Sequence, residues 1–70
     1  KAKRVVNALF KAFLEDPKLL PPKFSLRVPA LSEDPDLLQR SRLIADYIAG
    51  MTDRYALDEH DRLFDPRRLR

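Results

Sequence analysis

The chain lacks cysteine and tryptophan altogether, and has one glycine, one histidine and one methionine among its 70 residues. Without cysteine there is no disulfide and no thiolate metal site, and a single histidine argues against an all-protein zinc site. No stretch approaches the roughly 18 to 20 apolar residues that span a bilayer. The opening Lys1-Ala2-Lys3-Arg4-Val5-Val6 also lacks the apolar core of a secretory signal. A cytoplasmic protein without membrane attachment is the expectation. Missing too are a nucleophile beside a base and a glycine-rich loop to cradle phosphate, so no catalytic, cofactor-binding or metal-binding residue is assigned. The length allows one small domain at most, whose core alone supplies only a few kcal/mol. The chain starts at Lys1 and its methionine is Met51, which points to a piece of a longer protein.

Charge is plentiful but spread out. Lys1, Lys3 and Arg4 open the chain and Arg67, Arg68 and Arg70 close it, while the body between them mixes both signs around a net +3. Such ends read as solvating tails rather than a phosphate-binding track, which would gather on one face.

Three Asp-Pro pairs punctuate the sequence, at Asp16-Pro17, Asp34-Pro35 and Asp65-Pro66. Proline has no N–H and disfavours helix at the preceding residue, so each pair marks a boundary. The first ends a helix over residues 2–15. The second opens one over 35–50, with Asp34 as N-cap and Pro35 at the first helical position. Between them lies a proline-rich connection whose middle, Lys23 to Val28, alternates polar and apolar residues with the period of a strand. With no partner strand in the chain, it reads as an extended loop anchored by Phe24, Leu26 and Val28.

On a helical wheel, Val5, Leu9, Ala12 and Phe13 share one side of the first helix, and Val6, Phe10 and Leu14 widen the stripe; Arg4, Asn7, Lys11 and Glu15 stay wet. The second helix centres on Leu37, Ile44, Ile48 and Met51, with Leu43 and Tyr47 on one flank and Leu38, Ala45 and Ala49 on the other; Gln39, Arg42 and Asp46 face water. These arcs are wider than one contact needs. Since burial is worth ~25 cal/mol per Å², they imply cover from a larger protein or a partner, unless a third helix and the loop anchors complete a private core.

Gly50 sits where a left-handed C′ residue would end the second helix, and Thr52 can cap a third over 53–64; the alternative is a continuous helix that tolerates the glycine. The fold class is therefore all-α, a three-helix unit. On the third helix Leu63, Ala56, Phe64 and Leu57 form the apolar arc. Arg54, Asp58, Glu59, Asp61 and Arg62 lie opposite, with Asp58 and Arg62 spaced as an i,i+4 ion pair. Asp53 and His60 interrupt the arc. Asp53, Arg54 and Tyr55 put an acceptor, a cation and a phenol at one bend, the groups that would hold a nucleotide or an adjoining subunit, although a carboxylate at a helix start more commonly just receives backbone N–H groups. Arg40 and Tyr47 share a flank of the second helix and could stack.

The run Asp46-Tyr47-Ile48-Ala49-Gly50-Met51-Thr52-Asp53-Arg54-Tyr55-Ala56-Leu57, followed by His60, Leu63 and Phe64, resembles the C-terminal region of deoxyguanosine triphosphate triphosphohydrolases and related deoxynucleotide triphosphohydrolases of the HD superfamily. Ala8-Leu9-Phe10 through Leu14, Asp16-Pro17 and Leu20-Pro21 look like the preceding helix and turn, so the likeness covers most of residues 1–70. It implies a longer enzyme that hydrolyses a deoxynucleoside triphosphate to deoxynucleoside and tripolyphosphate. That enzyme would use a divalent metal on a His, His-Asp, Asp set and work as a homo-oligomer. The chain would then be the C-terminal helical region, partnered by the catalytic HD portion and inert alone. His60-Asp61 is not that ligand pair: there is no second histidine, and Asp61 lies about 100° around the helix on the polar side. The competing reading is a small basic helical module for nucleic acid or protein. Asp58, Glu59 and Asp61 oppose the nucleic-acid version by facing phosphates with like charge.

Overall fold

The computed structural model describes residues 2–65; Lys1, Arg67, Arg68 and Arg70 of the expected basic tails, and Pro66 of the third Asp-Pro pair, lie outside the described residues. The described chain is all-α, with no strand. It comprises α1 (Lys3–Glu15), α2 (Pro22–Ser25), α3 (Leu38–Ala49) and α4 (Asp53–Phe64), with single 3₁₀ turns at Pro17–Leu19 and Leu31–Glu33. α1 runs through the middle and packs against both α3 and α4.

α1 ends as its sequence requires. The Asp16 N–H donates to the Ala12 carbonyl, the backbone then leaves the helix at φ −138°, and Pro17 has no donor with which to continue it. The Asp16 carboxylate accepts the Lys18 N–H at 3.2 Å and so fixes the turn that follows. Val5, Leu9 and Phe13 of α1 meet Ile44 and Ile48 of α3, Met51 of the bend and Ala56 of α4, and Leu20 of the connection closes the end of this core. Phe13, Leu9 and Ile44 are fully enclosed. The expected wet residues Arg4, Asn7, Lys11 and Glu15 are all exposed.

The connection differs from the extended loop that alternation predicts. Pro21 and Pro22 start a helical turn, Pro22–Ser25, because proline at the first positions of a helix loses no bond it could have made. That turn points Phe24 inward, and Val28 also packs on the core, whereas Leu26 is 85% exposed and anchors nothing. α3 begins three residues later than expected. Residues 35–36 form a turn closed by the Leu37 N–H to the Asp34 carbonyl at 3.0 Å, and Leu37 takes a left-handed φ of 58°. Asp34 still caps α3, but from a distance: its buried carboxylate receives the Gln39 and Arg40 N–H groups at 3.1 and 2.9 Å.

Gly50 is right-handed, at φ −80° and ψ −5°, not left-handed. Its N–H still bonds the Asp46 carbonyl, and the Met51 N–H tightens the last turn onto Ile48. The chain breaks after it, where buried Met51 leads to Thr52, whose hydroxyl accepts the Tyr55 N–H at 3.0 Å and starts α4. The bend is therefore real while the glycine's special freedom goes unused.

Candidate functional site

α4 turns only one edge of its expected apolar arc inward. Ala56, Glu59 and Leu63 face the core, while Leu57 and Phe64 are about half exposed. Glu59, expected in water, is buried, and this is tolerable because Arg62 binds both its carboxylate oxygens, Nε at 2.7 Å and Nη2 at 2.9 Å. The same Nη2 donates to the Leu19 carbonyl at 3.3 Å, tying α4 to the turn after α1. The hydrogen bond to Glu59 outweighs burial and holds the Arg62 guanidinium in its charged form. Asp58, the expected partner of Arg62, pairs instead with Arg54 one turn back at 3.8 Å, an exposed contact. Arg62, itself half exposed, thus covers the buried carboxylate three residues away rather than the exposed one four away.

The three residues singled out at the bend do not converge. Tyr55 leans over a cleft between α2, α3 and α4; Arg54 points into solvent; Asp53 borders a shallow depression beside Ala2, Val5 and Leu57 on the opposite side of the helix. Tyr55 and Asp53 thus border different concavities, and Arg54 borders neither. The cleft has a volume of about 430 Å³ and is walled by Phe24, Leu43, Tyr47, Met51 and Tyr55, with exposed Arg27 and Asp46 beside it.

Tyr47 organises that surface. Its ring meets Phe24 at a centroid distance of 4.6 Å and the edge of Phe13 at 5.6 Å, and its hydroxyl lies 3.3 Å from the Tyr55 hydroxyl. Burial, the Tyr55 hydroxyl and the Glu59 charge together push the Tyr47 phenol well above its usual value, so it remains a neutral donor and acceptor. Arg40 does not stack on Tyr47: its Nη1 donates to the Leu14 carbonyl at 3.3 Å and ties α3 to α1. His60 is half-buried and packs on the Phe64 ring at 4.8 Å. Among the described residues no group of three or more His, Asp or Glu side chains converges as metal ligands.

Alternation marked Phe24 as an anchor but not its helical turn, which depends on Pro21-Pro22 starting a helix. Glu59 was equally hidden, because a carboxylate reads as solvated until an arginine is seen to cover it.

Residues 1–62 match the family model described as the phosphohydrolase-associated domain. Proteins named deoxyguanosinetriphosphate triphosphohydrolase-like are similar to the chain. That of Ralstonia nicotianae is 53% identical over 64 residues, covering 91% of this chain and 14% of the relative. That of an Azoarcus species is 53% identical, covering 91% and 15%, and that of Geobacter sulfurreducens is 47% identical, covering 94% and 15%. The chain thus spans about one-seventh of the length of these curated relatives. No solved structure matches it.

Proposed function

This chain belongs to the phosphohydrolase-associated domain family, and from that membership we propose that it is the accessory, C-terminal helical region of a longer deoxynucleoside triphosphate triphosphohydrolase. The longer protein would hydrolyse dGTP or another deoxynucleoside triphosphate to the deoxynucleoside and tripolyphosphate in the cytoplasm. A divalent metal bound outside this chain would supply the activated water. No step of that reaction is assigned to residues 2–65. Their part is to buttress the catalytic helices and contribute to an interface, within one subunit or between subunits of a homo-oligomer. Tyr55 on the cleft and Asp53 on the other side of α4 are the proposed points of contact with that interface, on two separate faces.

The observation that carries this reading is the mismatch between a small complete core and the apolar surface left around it. Leu9, Phe13 and Ile44 are sealed, yet Leu38, Leu57 and Phe64 remain between 44% and 71% exposed around the same three helices. Such flanks leave apolar surface that a larger helical protein can cover.

The test uses the full-length gene product incubated with dGTP and a divalent metal, with release of deoxyguanosine followed by chromatography. Turnover by the full-length protein and none by residues 1–70 alone is the expected result. A full-length protein that leaves all four deoxynucleoside triphosphates intact overturns the proposal. The nucleic-acid reading is disfavoured by Asp58 and Asp61 on the exposed side of α4. DNA affinity that falls steeply with salt would restore it.

A further inference from the structure

We propose that the segment from Asp34 to Leu38 is a strained conformational switch: the Asp34 carboxylate holds Leu37 left-handed and keeps α3 one turn shorter than its sequence favours. The inference rests on the structure alone and not on the functional reading above. Leu37, at φ 58°, is the one non-glycine residue with positive φ among those described. A side chain with a Cβ disfavours that region roughly tenfold, and such strain persists only where the surroundings impose it.

Every local signal points to the longer helix. Asp34 is a strong N-cap residue, Pro35 suits the first helical position, and Asp36 would place its charge in the first turn, where it complements the helix dipole. Leu37 would then lie seven and eleven residues before Ile44 and Ile48, on their buried stripe, instead of half-exposed. What opposes these signals is a clamp that uses both carboxylate oxygens. Oδ1 accepts the Gln39 N–H at 3.1 Å and Oδ2 the Arg40 N–H at 2.9 Å, while the Arg40 side chain is anchored to the Leu14 carbonyl of α1 at 3.3 Å. Reaching N–H groups five and six residues ahead requires the turn at 35–36 and the left-handed Leu37 that completes it. An ordinary N-cap needs only one oxygen. With one oxygen withdrawn the clamp is lost and the cap remains, so α3 takes in residues 35–37. The connection, which carries the exposed Leu26 and Leu31, then shifts relative to α3.

Asp34→Asn makes that withdrawal, because an amide keeps a single acceptor oxygen yet caps a helix as well as a carboxylate does. Position 37 reads the outcome. Glycine is better than alanine in a left-handed residue and worse inside a helix, so the order of Leu37→Gly and Leu37→Ala reports which state is occupied. Hydrogen exchange followed by mass spectrometry on peptides covering residues 38–41 of the full-length gene product measures local opening at this end of α3. With Asp34 in place, exchange should be roughly fivefold slower in Leu37→Gly than in Leu37→Ala. Combined with Asp34→Asn the order should reverse, by about twofold or more. Glycine slower in both backgrounds means that the turn does not depend on the clamp; alanine slower in both means that Leu37 is helical from the outset. Either result, or equal exchange throughout, overturns the inference. If Leu37→Gly fails to fold, Leu37→Asn takes its place, since asparagine also tolerates the left-handed region.

Discussion

Asp34 is the single residue on which the start of α3 depends. Burial raises its carboxyl, but hydrogen bonds from the Arg40, Gln39 and Leu38 backbone N–H groups and the Arg40 charge outweigh that effect, so its value lies below the ordinary range. A carboxyl depressed in the folded state contributes stability above its unfolded value near 3.9, and the contribution is lost as pH falls through the folded value. Circular dichroism followed downward from about pH 6 should therefore show helix loss beginning below about pH 4. An Asp34→Asn variant, uncharged throughout, should start less stable and show a flatter acid response; an unchanged acid profile would contradict the assignment. Glu59 and Arg62 make the second residue-scale case. Removing Arg62 leaves a buried carboxylate without its two hydrogen bonds, so Arg62→Ala should cost about 1–3 kcal/mol. The double variant with Glu59→Gln should recover part of that loss in urea titration.

The bend between α3 and α4 is an element built from two different devices, and substitution separates them. Because Gly50 is right-handed with room for a Cβ, Gly50→Ala should stabilise the fold by about 0.4–1 kcal/mol, through a less flexible unfolded chain. Thr52→Ala removes the hydroxyl that receives the Tyr55 N–H and should cost about 1 kcal/mol. Thermal melts of the two variants should move in opposite directions. A destabilised Gly50→Ala would mean that the glycine is needed for something other than the turn. The late start of α3 is also an element-scale effect: Pro35 favours a tight turn, and the helix waits until the Asp34 carboxylate can reach the N–H groups beyond it.

For the molecule as a whole, the core is complete but small. Leu9→Ala, at a fully enclosed site on the central helix, should cost about 3 kcal/mol. That is comparable to all the stability a core of this size supplies, so in residues 1–70 alone it should abolish cooperative melting. Within the full-length protein the same substitution should only lower the midpoint, because packing from outside adds to the core.

Residue types and their periods determined much of this protein. The all-α class, the limits of α1 and α4, the buried Val5, Leu9, Phe13, Ile44 and Ile48 and the Thr52 cap all follow from the order of residues, because helix period, proline and capping chemistry are local; the family was legible only through resemblance. Only the tertiary structure decided the inward turn of α4 toward Glu59, the choice of Arg62's partner, the cleft on Phe24, Tyr47 and Tyr55, and the separation of Asp53 and Arg54 from Tyr55. Those depend on which of several adequate helix faces is buried. That choice is set by contacts between residues far apart in sequence, among them the bond from half-exposed Arg62 to the Leu19 carbonyl while the same guanidinium covers the buried Glu59 carboxylate.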